Sequence, residues 1–261
     1  MDLLTHVAYD RLLAAISGGG YRVATVRQYL QGNWEKPLLV LRHDVEWSVS
    51  RAMAIAEIEK TRGVRSTMYF RVDTKAFDLP AMRSLQEDGF EIGYHFNTLD
   101  RCGGDFNRAI ALFEKELKEL REAGIKVDTV CSHGDPRVKK IGYQVNNEIF
   151  LKDPRLLKRS ELLGEAYLNV DFSSLQYLSD VGIRWNGGDI SAKELFARIK
   201  RQEWPVIYLL THPDYWSKSF LRAAGLQVAT RGMRRFKLNR MVIVGKQVLD
   251  FPRRLVGGGR K

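Results

Sequence analysis

The chain has 261 residues, with 44% hydrophobic residues, 28% charged residues and a formal net charge of +11. This composition provides enough apolar mass for a large core and excludes a disordered or fibrous chain. With two cysteines and no paired Cys-x-x-Cys, it also excludes a disulfide scaffold and a cysteine-based zinc site, so we expect two reduced thiols.

The sequence carries no signal for export or for a membrane span. No stretch approaches 18 apolar residues, and the opening residues include Asp2 and Asp10 without the basic flank and cleavage site of a signal peptide. We therefore expect a cytoplasmic protein.

The positive charge is concentrated at the C-terminal end of the chain. Residues 217–261 contain twelve Lys or Arg and one acid, Asp250, which leaves residues 1–216 with thirty bases and thirty acids. We therefore divide the chain into a neutral domain, 1–216, and a basic segment, 217–261, that either packs partly on the domain or binds a membrane surface.

The predicted elements follow a regular order. Residues 1–35 predict a helical lead-in, either a helix pair or a helix and hairpin, broken at the glycines 18–20. Buried strands are then predicted at 38–43, 66–72, 90–96, 127–133 and 206–212, with amphipathic helices between them, whereas 137–165 is predicted to be irregular with a short helix. This alternation predicts a parallel α/β sheet or barrel.

Four of the five histidines fall at the C-terminal ends of predicted strands: His43, His95, His133 and His212. In parallel α/β folds the active site lies at this edge, because the loops that follow the strands converge there. A single histidine is usually structural, but four at one edge predict a shared site.

The segment HDVEW places two carboxylates beside these imidazoles. On an extended strand end, Asp44 and Glu46 share a face while Val45 points away. The pair suits a metal site or an acid and base, although either carboxylate could instead cap the helix that starts near Ser48. His43 lies opposite Asp44, and we interpret it as structural.

Further polar and aromatic residues follow the later strands. Asp180, Arg184 and Trp185 occur in SDVGIRW, and Asp214 and Trp216 follow His212. They could orient catalytic groups or stack on a sugar ring; a surface ion pair and ordinary core aromatics are the alternative.

Several motifs occur in order: LRHDVEWSVSRAMAIAEIEKTRGVRSTMYFRV, EDGFEIGYHFNTLD, VCSHGDP, GEAYLNVDF, YLSDVGIRW and LLTHPDYW. Over residues 8–216 they resemble the polysaccharide deacetylase-like family (carbohydrate esterase 4-like), in particular a divergent branch whose first motif is His-Asp-Val-Asp. The resemblance implies a distorted (β/α)7 barrel, similar to a TIM barrel, and metal-dependent hydrolysis of N-acetyl sugars.

The sequence departs from the family pattern at two places. The well-studied branch has two adjacent aspartates in its first motif, where this chain has HDVE, and a His-x-x-x-His pair, where it has His95 and Leu99. One expected ligand is therefore missing, and Glu46, His133 or His212 would have to replace it.

The predicted function is metal-dependent N-deacetylation of an amino sugar, nucleotide- or lipid-linked, in cell-surface polysaccharide biosynthesis. A divalent metal, Zn²⁺ or similar, would activate water and polarise the acyl carbonyl. The assigned residues are Asp44, His95 and His133 as metal ligands, Glu46 or Asp180 as base, His212 as acid, and Arg184, Trp185, Asp214 and Trp216 as substrate-binding residues.

Three alternatives remain at this stage. The barrel could be catalytically inactive and bind carbohydrate, or it could be a deformylase or another metal hydrolase. The basic segment could bind nucleic acid, but no nucleic-acid motif accompanies it. Its mixture of basic and apolar residues is typical of a segment on an anionic membrane surface; alternatively residues 241–249 form a closing strand and 220–226 a helix, and both interpretations can hold together.

Overall fold

The structure is a computed structural model that describes residues 2–32, 34–134, 142 and 145–236, with side chains to residue 230. The segment 241–249, considered above as a closing strand, lies outside the described residues. Within the described residues, no helix has the length and apolar character needed to cross a bilayer.

Parallel strands alternate with helices along the chain. The strands are Arg22–Ala24 (β1), Leu38–Val45 (β2), Thr67–Phe70 (β3), Glu91–Phe96 (β4), Thr129–Ser132 (β5), Gly164–Glu165 (β6), Gln176–Ser179 (β7) and Val206–Thr211 (β8). The helices are His6–Gly18 (α1), Val26–Leu30 (α2), Val49–Thr61 (α3), Leu79–Glu87 (α4), Thr98–Arg101 (α5), Phe106–Glu122 (α6), Glu148–Lys152 (α7), Leu156–Arg159 (α8), Ala192–Lys200 (α9) and Phe220–Phe236 (α10).

Seven strands form one curled parallel sheet in the order β6-β5-β4-β3-β2-β8-β7. Strand β1 adds to the first half of β2, where Arg22 lies opposite Leu38, and β3 adds to the second half. The predicted α/β class and distorted (β/α)7 architecture are confirmed. In the lead-in, β1 runs parallel to β2, so the hairpin alternative is wrong.

The long helices follow from capping and from the spacing of apolar residues. In α6, the Asp105 side chain accepts a hydrogen bond from the backbone N–H of Arg108 and thereby caps the first turn. Ala109, Phe113 and Leu117 recur at four-residue intervals and are buried against the sheet, because residues at this spacing lie on one face of a helix. The other charged residues of α6 lie away from this face, whereas Glu116 is buried and bonded to Tyr94 and Arg101.

Strand β2 divides its side chains between two environments. Val40 belongs to the apolar cluster inside the curled sheet, and Leu39 and Leu41 belong to the layer between the sheet and the helices. This division follows from the two-residue period of a strand. It places the even-numbered residues of β2, which include Arg42 and Asp44, on the inner face.

The interior depends on one residue that lacks a side chain. Gly93 of β4 lies against the Tyr69 ring, and a Cβ atom built there would be 2.3 Å from two ring carbons. The ring therefore occupies the space that a side chain on β4 would fill. Tyr69 is fully buried and donates to or accepts from the Thr129 hydroxyl at 2.8 Å.

A buried polar cluster ties the outer layer together behind the central strands. His43 Nε2 lies 2.7 Å from Glu59 Oε1, and His43 Nδ1 lies 2.6 Å from the Thr211 hydroxyl. The Tyr9 hydroxyl also donates to Glu59 Oε1, and the Ser66 hydroxyl donates to Glu59 Oε2 at 2.6 Å. One carboxylate of α3 thus joins α1 to β2 and to the residue before β3.

We expect Glu59→Ala to lower the free energy of unfolding by about 3 kcal/mol, because it removes the shared acceptor of three buried groups. Urea denaturation followed by circular dichroism measures the change. Glu57→Ala on the same helix is the matched control. The Glu57 side chain is 61% exposed, and among the described residues it forms an ion pair with Lys60. Equal effects of the two substitutions would contradict the role given to Glu59.

Candidate metal and catalytic site

A polar cleft opens at the carboxyl ends of the parallel strands. Its walls come from β2, β4, β5, β7 and β8 and from the loops that follow them. The lining residues are Asp44, Glu46, His95, Ser132, Gly134, Val145, Tyr167, Tyr177, Ser179, Val181, Leu210 and His212. Three of the predicted site residues on strand ends therefore share one cleft with Glu46, and His133 adjoins it.

His95 presents one ring nitrogen to this cleft. Its Nδ1 lies 3.0 Å from the backbone carbonyl of Cys131, so Nδ1 carries the proton and Nε2 is left as an acceptor. Nε2 is buried without a hydrogen-bond partner and lies 3.7 Å from Asp44 Oδ2. Burial lowers the pKa of His95 well below its usual value, which favours the neutral imidazole that binds metals.

Glu46 and His133 form the second part of the cluster. Glu46 Oε1 lies 3.2 Å from His133 Nε2, and the Thr74 hydroxyl donates to the Glu46 carbonyl at 2.6 Å, which fixes the loop after β2. Burial alone would raise the pKa of Glu46, but the contact with His133 and the nearby His212 lower it to about 2. Glu46 is therefore ionised at neutral pH.

These groups form two overlapping sets of donor atoms. The donor atoms of Glu46, His95 and His133 lie within 4.8 Å of one another, and so do those of Asp44, His95 and Cys131. His95 belongs to both sets. The buried Nε2 of His95, which lacks a partner, fits a metal ion better than it fits a purely structural role.

An arginine that follows β3 supports His133, which follows β5 on the far side of β4. Arg71 Nη1 lies 3.1 Å from His133 Nε2, and the same guanidinium makes two bonds to Asp73, at 2.8 and 2.6 Å. Asn97 donates to Asp73 at 3.0 Å. When His133 Nε2 lacks a proton, Arg71 is the donor in this contact; when it carries one, Glu46 accepts it.

Asp44 is held by an arginine that the sequence analysis did not single out. Arg42 is 0% exposed inside the sheet, and its Nη2 donates to Asp44 Oδ2 at 3.0 Å and to the Tyr167 hydroxyl at 2.5 Å. Its guanidinium carbon also lies 4.4 Å from the centre of the Tyr167 ring. The other Asp44 oxygen, Oδ1, is buried without a partner.

At the end of β8, the strand next to β2, His212 is paired with a buried carboxylate. Asp180 Oδ1 accepts from His212 Nδ1 at 2.6 Å, while Oδ2 accepts from the His212 backbone and from Trp216 Nε1, each at 2.9 Å. Burial alone would lower the pKa of His212, but Asp180 and Glu46 raise it to about 9. His212 is therefore an imidazolium at neutral pH with Nε2 available as a donor.

Two residues predicted to stack on a sugar lie away from the cleft. Trp185 and Trp216 are 2% and 1% exposed and belong to the apolar layer outside the sheet. Trp216 packs edge-on against Tyr9, with ring centroids 5.0 Å apart, and orients Asp180 through its indole N–H. Both tryptophans are therefore ordinary core aromatics, as in the alternative interpretation, and Trp216 also positions Asp180.

The other two predicted substrate-binding residues, Asp214 and Arg184, also lie outside the cleft lining. Asp214 Oδ2 accepts from the backbone N–H groups of Glu46 and Trp47, at 3.3 and 3.1 Å, and so anchors the loop after β2. Arg184 is half-buried, and its backbone N–H donates to the Asp180 carbonyl at 3.3 Å. Neither side chain is among the residues that line the cleft.

The structure also bears on the missing ligand and on the capping alternative. Leu99, at the position of the second family histidine, is fully buried in the apolar cluster beneath α6. Donor atoms of His133 and Glu46 lie within 4.8 Å of His95, so both are candidates to replace the missing histidine. The residue that precedes α3 is Ser48, so neither Asp44 nor Glu46 caps this helix.

Comparisons with known proteins give a distant structural likeness. A solved structure of a mutant of a CE4 family pseudoenzyme with restored enzymatic activity is similar over 77% of this chain, with 14% sequence identity and a TM-score of 0.45. The match spans 64% of the length of that protein. No family model and no curated protein matches the sequence.

In metal-free protein we expect His212 to titrate near pH 9, well above the usual value near 6.5. Because the pKa is raised by folding, this pair stabilises the protein fully below pH 6.5, and the contribution is lost as pH rises through about 9. NMR titration of the imidazole carbons measures the midpoint.

Two comparisons make this titration decisive. Asp180→Asn removes the opposing charge, so the His212 midpoint should fall by at least two pH units, as expected for a buried imidazole without its carboxylate. His6, half-buried and near Lys218, should titrate below its usual value in both proteins. An unchanged His212 midpoint in the variant would exclude Asp180 as the cause.

Proposed function

We propose that the cleft binds a divalent metal ion through Glu46, His95 and His133 and hydrolyses the N-acetyl amide of an amino sugar. The observation that supports this proposal most directly is the position of His95 Nε2. This nitrogen is buried without a hydrogen-bond partner and lies within 4.8 Å of donor atoms on Glu46 and His133. Two imidazoles and one carboxylate are a typical donor set for catalytic zinc. A bound ion supplies Lewis-acid activation of water and of the acyl carbonyl.

This proposal exchanges two roles assigned from the sequence. Glu46 contacts His133 directly, and a pKa near 2 makes it a weak proton acceptor. Asp44 has one oxygen fixed by Arg42 and another that is free to accept a proton. We therefore give Asp44 the role of base and Glu46 the role of ligand.

The second donor set is less suited to a metal ion. Burial raises the pKa of the Cys131 thiol well above its usual value, and the thiol donates weakly to the Ser132 carbonyl, 3.6 Å away. A thiol must lose its proton to bind a metal. The set that includes Cys131 therefore requires a thiolate that its surroundings disfavour.

His212, at the end of β8, supplies the proton that amide cleavage needs. An amine leaves as the neutral molecule only if it gains a proton, and the His212 imidazolium holds one at neutral pH. Asp180 does not serve as the base in this proposal, because both of its oxygens are occupied by His212 and Trp216. It orients His212 and maintains its charge.

The substrate class comes from the motif resemblance, and the cleft is compatible with it. Tyr167 and Tyr177 also line the cleft, and aromatic side chains of this kind can pack against a sugar ring. A nucleotide- or lipid-linked N-acetyl amino sugar of cell-surface polysaccharide biosynthesis, processed in the cytoplasm, is the substrate we propose.

One observation favours a second candidate, a catalytically inactive barrel that binds carbohydrate. Leu99 occupies the position of the usual second histidine and contributes to the core. Such a protein would bind sugars without a tightly held metal ion and without releasing acetate. A deformylase or another metal hydrolase would retain the ion but release a different acid.

We expect the purified protein to hold about one zinc or similar ion per chain, measured by elemental analysis. His95→Ala and Glu46→Ala should weaken Zn²⁺ binding by more than about 100-fold in calorimetry, because each removes a ligand. His6→Ala, outside the cleft, and Cys131→Ser, in the other donor set, are the controls and should retain the ion. Loss of zinc from Cys131→Ser would instead favour the set with Asp44.

Turnover measured together with zinc content should distinguish metal ligands from proton-transfer groups. Asp44→Asn and His212→Gln should keep the ion and slow acetate release from N-acetylated nucleotide sugars or glycan fragments by about 100-fold to 10,000-fold. Zinc content and turnover are measured on the same preparations. If Asp44→Asn lost the ion, Asp44 would be a ligand, and if no N-acetylated compound released acetate, the inactive barrel would be favoured.

A further inference from the structure

Helix α10 exposes apolar side chains on the face that points away from the protein. Ala223 and Gln227 are buried, and Gln227 Nε2 donates to the Asp2 carbonyl at 2.9 Å, so this face packs on the domain. Leu221 and Val228 are 82% and 58% exposed. They are seven residues apart, which places them on the same side of a helix.

Positive charge surrounds the start of this helix. Lys218 and Arg222 flank the exposed leucine in the sequence, and Phe220 is 67% exposed beside them. Arg51 of α3 lies nearby and donates to the Asp214 carbonyl; burial lowers the pKa of Arg51, and the charge of Arg222 adds to this effect. The Asp214 carboxylate, close to Arg51, is already held by the backbone of the loop after β2.

We propose that the outward face of α10, formed by Phe220, Leu221 and Val228 with Lys218 and Arg222, docks on an anionic lipid surface. Exposed apolar side chains next to lysine and arginine are the combination that binds the interface of a charged bilayer. The proposal is independent of the chemistry assigned to the cleft.

Two other partners could bind this surface, a second copy of this chain or nucleic acid, and its properties argue against both. A second copy of this chain that presents the same surface would be repelled, because residues 217–261 carry twelve bases against one acid. Nucleic acid would match the charge but would leave the exposed leucine, valine and phenylalanine in water. A membrane with anionic headgroups satisfies both properties of the surface.

The helix also connects this surface to the cleft. Ser217 pairs with the start of α1 through bonds to Leu4 and His6, at 3.1 and 3.0 Å, and this fixes the chain between His212 and Phe220. Only seven residues lie between these two positions. Docking through α10 would therefore hold the cleft in a defined orientation close to the lipid.

The test is co-sedimentation of the full chain with vesicles of phosphatidylglycerol and phosphatidylcholine, compared with phosphatidylcholine alone. We expect binding to the anionic vesicles at low salt, loss of most binding in 0.5 M salt, and none to the neutral vesicles. Leu221→Ser with Val228→Ser should weaken binding at least fivefold. Lys218→Gln and Arg222→Gln should each weaken it about fivefold.

The matched control is Leu151→Ser with Leu163→Ser, which removes two leucines that are 42% and 48% exposed elsewhere on the domain. This variant should bind as the unaltered chain does. Unchanged binding by the Leu221 and Val228 variant would assign any membrane affinity to other residues and overturn the proposal. So would equal binding to both kinds of vesicle, binding to DNA but not to vesicles, or concentration-dependent dimerisation that the same variant abolishes.

Discussion

A fully buried arginine inside the curled sheet determines how the cleft is arranged. Arg42 lies among the rings of Tyr69, Tyr167 and Tyr208, and its charge is balanced by Asp44 at 3.0 Å. An isolated charge in such a place would be very costly, and the Asp44 carboxylate offsets part of that cost by accepting from the guanidinium. The same Asp44 oxygen, Oδ2, lies 3.7 Å from His95 Nε2.

The strands that carry this pair have a second polar set on their other face. His43 and Thr211 precede Asp44 and His212 in the chain and meet behind the sheet, where His43 reaches Glu59. Alternation along each strand thus sends consecutive residues into two separate networks. The outer network, around Glu59, fixes the positions of β2 and β8. The inner network is formed by the side chains that the same strands direct toward the cleft.

The sequence was sufficient to predict the parallel sheet and the convergence of the strand ends, because long apolar strands and the amphipathic α6 have clear periods. It did not predict β6 and β7, which have two and four residues and no apolar run. Arg42 could have been found, since it lies two residues before Asp44 on one strand face. The burial of Trp185 and Trp216 could not, because neighbouring sequence does not reveal which layer an aromatic ring enters.

The edge contact between Tyr9 and Trp216 makes helix α1 part of the functional unit of this chain. Trp216 holds Asp180, and Asp180 holds His212, so α1 forms the rear support of a residue in the cleft although it precedes the barrel in the sequence. The helix is therefore an integral wall of the domain, and a boundary drawn at the first long strand would divide a single structural unit. Sequence variation at Tyr9 would be constrained by the cleft as strongly as variation in the core.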